Sequence, residues 1–192
     1  MRVYKGFNSD LSCTKGKGRY QFRIGRKETC EGSKTRNTGF HASEYILECL
    51  DWYPLNGKNR YCICEAEGSV DEDGEDIICC TEITPVKELR IIDIVFAAME
   101  YMIDHPKRAW EKTGTNLCVA RDKASVGERG IAIARGKNPK VKGGKGSYIG
   151  LIKEDKHGEP DVVRMFLVGS SAAQAGIWYN LDDAGNQMRT RE

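Results

Sequence analysis

Between Cys118 and Gly146 the chain places a small residue every few positions: Ala120, Ala124, Gly127, Gly130, Ala132, Ala134, Gly136, Gly143, Gly144 and Gly146. Each glycine inside a helix costs about 1 kcal/mol relative to alanine, so this stretch is read as non-helical. The spacing predicts short stacked β rungs, with small residues where one backbone passes close to another. Two or three rungs bury no core by themselves. The runs at 148–152 and 162–168 are predicted to close one side. Ile177 to Leu181 is predicted as the last strand, before an Asp-Asp-Ala-Gly turn and a polar tail.

The first half reads differently. Residues 2–7 and 20–25 are predicted strands, 31–38 a polar loop, and Gly39 to Ala42 a short strand or turn. Ser43 is an expected N-cap, with Glu44 at the positive end of the helix dipole. Ile46, Cys49, Leu50 and Tyr53 then form one apolar helical stripe, ended by Pro54. Alternation at 60–67 turns Cys62, Cys64 and Ala66 one way and Tyr61, Ile63, Glu65 and Glu67 the other. Residues 77–83 are the return strand of a hairpin. Its acidic turn, Asp71 to Asp76, has Asp76 where a calcium loop has its glycine at position six. Ile92, Val95, Phe96, Met99 and Ile103 predict a second helix over 91–104.

The expected fold class is therefore α+β. A unit over 1–105 has a small antiparallel or mixed sheet and two helices, and a β-rich unit over 106–192 carries Gly/Ala-punctuated rungs, the two packing as one body. Net charge is +2 overall but unevenly spread: +7 over residues 1–40, −11 over 41–105 and +6 over 106–192. Such segregation suits electrostatic steering of a partner. No apolar leader follows Met1, and no run approaches the roughly 20 apolar residues of a membrane span. A reducing cytoplasm is the expected setting, with all eight cysteines as free thiols. Cys62, Cys64, Cys79 and Cys80 lack the paired C-x-x-C spacing of a zinc ribbon, so no metal is expected.

Arg135, Lys137, Lys140, Lys142 and Lys145 form a run of five cations with no carboxylate among them. Neutralising five phosphates would give a log–log salt slope of roughly −3.5 to −4.5. No aromatic residue interleaves the run, which argues against a stacking platform for single strands. Gly16-Lys17-Gly18 is too short for a phosphate loop, and no serine-histidine-aspartate order carries an elbow motif.

Six elements in order resemble a group of uncharacterised bacteriophage and prophage proteins. They are Lys5-Gly6-Phe7 through Leu11 and Cys13, Gly39-Phe40-His41-Ala42, Asp51-Trp52-Tyr53, Gly127 to Gly136, Lys142-Gly143, and Trp178-Tyr179-Asn180-Leu181. The resemblance implies a viral or mobile-element setting. With it comes the expectation of an accessory protein that acts by binding a host protein or defence complex rather than as an enzyme. The early strands and helix are also similar to the ADP-ribosyltransferase fold. That similarity implies NAD as cofactor, with Lys5 at the first position, Ser43 near the second, and Glu65 or Glu67 as the carboxylate that stabilises an oxocarbenium-like centre, and His41 beside Ser43 is a candidate for the same pocket. The basic run leaves nucleic-acid binding as a third reading.

Overall fold

The computed structural model describes residues 1–14, 18–35, 37–72 and 77–192. The α+β expectation is overturned: 51% of the protein is strand and only 11% helical. The helical text after Ser43 yields much less helix than its periodicity implies. Ser43 is itself a strand residue. Its hydroxyl donates to the Tyr45 carbonyl (2.9 Å) and accepts from the Tyr45 N–H (3.1 Å), a local turn that competes with capping. What remains is a 3₁₀ turn, Ile46–Glu48, and a single α-turn, α1 (Cys49–Trp52), with no side-chain N-cap.

Two compact units divide between Ala97 and Ala98. The first contains β1 (Arg2–Phe7), β2 (Ser12–Cys13), β3 (Tyr20–Gln21), β4 (Glu28–Thr29), β5 (Phe40–Ser43), β6 (Arg60–Glu72), β7 (Ile77–Glu88) and the start of α2 (Ile91–Asp104). The expected strand over 20–25 is only two residues long. Pairing closes on itself. β1 lies between β5 and β6, β5 continues to β7, and β7 returns to β6 as a hairpin, all antiparallel. Ring closure leaves these four strands no open edge. A ring this small is filled by side chains: Val3, Phe7, Phe40, Ala42, Cys62, Cys64, Ala66, Ile78, Cys80 and Ile83, with Leu11 and Phe22 completing the cluster. Gly6 is required on β1, because a Cβ there would meet the Tyr53 ring at 2.7 Å.

The second unit contains the end of α2, then β8 (Lys112–Gly114), β9 (Leu117–Val126), β10 (Ile131–Gly143), β11 (Tyr148–Glu154), β12 (Pro160–Leu167), β13 (Trp178–Leu181) and β14 (Gln187–Thr190). The segment expected to be a polar tail supplies β14, paired with β13. β9, β10 and β11 are parallel neighbours: Ile131 lies beside both Leu117 and Tyr148. Parallel neighbours ordinarily need a crossover of a dozen or more residues. Here each layer instead turns a corner midway, at Asp122 (φ 60°) in β9 and over 136–139 in β10, so the chain coils back onto itself. Gly136 is required at this corner, since a Cβ would lie 2.0 Å from Asp122 Oδ1. The first corner takes one residue and the second takes four, so Lys137-Asn138-Pro139 is an insertion in the second coil. Ala132, Ala134, Ile149, Leu151, Ala124 and Val141 fill the coil interior with Tyr179 and Leu181. On the other side of the layers, Met99 of α2 seats over Gly150, where a Cβ would meet its Sδ at 3.0 Å.

Candidate functional site

The residues expected to form a transferase site are not gathered into one. Val3, Lys5 and Phe7 share a face of β1, and Lys5 enters the ring interior. Its Nζ donates to the His41 carbonyl oxygen and lies over the rings of Phe7 and Phe22, at 5.9 and 5.6 Å. His41 presents its backbone to Lys5, and burial, then the Lys5 charge, lowers its imidazole pKa. Ser43 is spent on the Tyr45 backbone. Glu65 is opposite Arg2, three positions along from the Lys5–Cys62 pair, and exposed. Glu67 is bound to Lys27 Nζ (2.6 Å), which holds its carboxyl below the usual range.

The thiols are also in resting states. Burial pushes Cys49 and Cys62 up to about 12 and Cys80 up to about 11, so they stay protonated at neutral pH and are poor nucleophiles or ligands. Among the described residues no three His, Cys, Asp or Glu side chains lie so as to hold a metal ion. Residues 73–76 of the segment expected to be an acidic turn, and Gly16-Lys17, lie outside the described residues. Asp71 accepts from the Thr35 N–H (2.7 Å) and hydroxyl (2.9 Å). Among the described residues no helix is long and apolar enough to cross a membrane.

The basic run divides at the β10 corner. Arg135 is not on the surface: its side chain is 1% exposed. Its Nε donates to Glu154 Oε1 (2.7 Å), and its Nη1 donates to the Met102 carbonyl (2.9 Å). That carbonyl would ordinarily accept from residue 106 in the last turn of α2, but Pro106 has no N–H. Arg135 supplies the missing donor, and its Nη2 also reaches the Pro106 and Gly158 carbonyls (3.2 and 3.3 Å). It is a helix C-cap delivered from a strand and does not grip phosphate. Lys145 is exposed in the turn after β10.

Lys140 and Lys142 stay on the outer face of β10. Lys140 is directly opposite Lys123 of β9, and Lys142 is directly opposite Trp178 of β13. Lys142 Nζ and Lys123 Nζ both lie over the Trp178 ring, at 4.7 and 4.9 Å. Like charges directly opposite each other destabilise a sheet. Here the indole face and Glu192, whose carboxylate meets Lys123 Nζ at 2.9 Å, offset that cost. Lys123 and Trp178 escape a search of the basic run because they join it only through strand register.

The corner itself opens a cleft of about 480 Å³ lined by Arg121, Asp122, Lys137, Asn138 and Glu154. Glu154 is buried, accepts from Arg135, and also accepts from Arg121 Nη1 (3.2 and 3.4 Å). Both guanidinium groups lie 5.3 Å from the Trp110 ring centre.

Comparison with protein families matches residues 1–97 to a family described as a domain of unknown function, DUF7666. The chain belongs to the DUF7666 family. The match covers the same residues as the first compact unit, so the lysine face and the corner cleft lie outside it. Comparison with the curated proteins and with the solved structures gives no match.

Proposed function

We propose that this DUF7666 protein acts by binding, and that its second unit holds a nucleic acid by its phosphates on the outer face of β9, β10 and β13. One observation carries the reading: strand register sets Lys123 directly opposite Lys140 and Lys142 directly opposite Trp178, whose ring Lys123 and Lys142 share, against the electrostatic preference of a sheet. Such a cluster gains most when an anion joins it. The Glu192 carboxylate already occupies the Lys123 end, and Lys123 and Lys142 lower its pKa. A carboxylate oxygen there stands where a phosphate oxygen would sit. An accessory role by binding is retained from the phage resemblance, and the occupant the geometry favours is a phosphate backbone rather than a protein.

Fluorescence anisotropy with labelled single- and double-stranded oligonucleotides tests this. Lys140→Glu and Lys142→Glu, singly and together, are expected to weaken binding at least tenfold while leaving the circular dichroism spectrum unchanged. Equal affinity for wild type and the double variant would remove the proposal.

A further inference from the structure

We propose that the corner cleft is a second, separate site, for a phosphomonoester carried on a hydroxyl-bearing group. Lys137-Asn138-Pro139 adds three residues to a corner that β9 turns with one, and insertions between coils of a repeating fold gather on one face, often the binding face. The added residues project Lys137 and Asn138 into the solvent-facing side of the cleft.

Opposite them stands a guanidinium that is already oriented. Arg121 is held through Nη1 by buried Glu154 and lies over Trp110, while about half of its side chain remains exposed. Its Nε and Nη2 have no protein acceptor among the described residues. The Lys137 ammonium, the Asn138 amide and the Asp122 carboxylate likewise have no partner among the described residues. Glu154 does not compete for a ligand, because Arg135 occupies it from beneath. The result is a fork of donors fixed in advance, a mobile ammonium facing it, and an amide. Fork and ammonium together suit a dianionic phosphate.

Asp122 sets the rest of the ligand. A carboxylate in the same cleft repels a bare phosphate but accepts from a hydroxyl, so the site favours a phosphate with sugar hydroxyls attached. That chemistry has two sources, a free sugar phosphate or the phosphorylated end of a nucleic-acid strand. Neither source requires the lysine face, which binds internal phosphates.

Isothermal titration with ribose 5-phosphate, and anisotropy with matched 5′-phosphorylated and 5′-hydroxyl oligonucleotides, test the proposal and separate the sources. If the free ligand is the source, ribose 5-phosphate binds and Lys137→Ala weakens it about tenfold, the loss of one charge-assisted contact. Lys142→Glu leaves that binding unchanged. If a strand end is the source, the 5′-phosphate raises oligonucleotide affinity and Lys137→Ala erases the gain. In either case Asp122→Asn improves binding of inorganic phosphate, because the carboxylate that repels a bare phosphate is gone. No ribose 5-phosphate binding together with no gain from the 5′-phosphate overturns the cleft. That result is distinct from failure of the lysine face, which would appear as weak binding of the 5′-hydroxyl strand.

Discussion

Replacing Arg135 by methionine keeps most of the side-chain volume and removes the charge and every donor. Two buried groups then lose their partners. Glu154 Oε1 loses the Nε–H at 2.7 Å, and the Met102 carbonyl loses the Nη1–H at 2.9 Å with only a proline four residues on. Breaking a buried ion pair from one side costs about 3–5 kcal/mol, and an orphaned buried carbonyl costs about 1–3 kcal/mol. The two overlap in one network, and Arg121 still reaches Glu154, so the expected loss is about 3–4 kcal/mol. At about 2–4 °C per kcal/mol for a chain of this size, Tm falls by about 10 °C. Urea unfolding of wild type, Arg135→Met, Glu154→Gln and the double variant measures it. The double variant is expected to be more stable than the sum of the single losses, because no uncompensated carboxylate remains. A change within 0.5 kcal/mol in Arg135→Met, or strict additivity, would refute the cap-and-pair account.

Gly6→Ala places a Cβ 2.7 Å from the Tyr53 ring and is expected to cost about 1–3 kcal/mol by overpacking, read by urea unfolding of the first unit; an unchanged midpoint would contradict the contact. In alkylation by iodoacetamide at pH 8 followed by mass spectrometry, Cys13, Cys30 and Cys118, which are partly exposed, are expected to react well ahead of buried Cys49, Cys62 and Cys80. Arg90 holds the Asp93 carboxyl down to about 2. A lowered folded-state pKa gives stability that is complete above the unfolded value near 4 and fades as pH falls towards 2. Asp93→Asn is therefore expected to flatten the acid side of the stability profile between about pH 4 and 2.

Local patterns carried part of this architecture. Alternation at 60–67 names Cys62, Cys64 and Ala66 as one face, and these line the ring. Helical periodicity over 91–104 coincides with α2. Pairing was not legible, because that β1 joins both β5 and β6 depends on residues 39 or more positions apart. The α+β expectation failed where Ser43 matched a capping pattern but its hydroxyl closed a turn at the end of a strand. In sequence the five charges are one run, but the fold divides them. The corner at 136–139 sends Arg135 inward beneath Glu154 and keeps Lys140 and Lys142 outside. Trp178 stands 36 positions beyond Lys142 and reaches it only through the β10–β13 register. An aromatic partner for the basic run was therefore invisible within the run.

The salt dependence of oligonucleotide affinity decides whether the face around Trp178 holds phosphate. Three lysines on three phosphates give a log–log slope of about −2 for single strands and about −2.7 for duplex. Lys142→Glu should bring that slope at least one unit closer to zero. A slope near zero for the wild type, or one that Lys142→Glu leaves unchanged, would contradict a phosphate-binding face around Trp178.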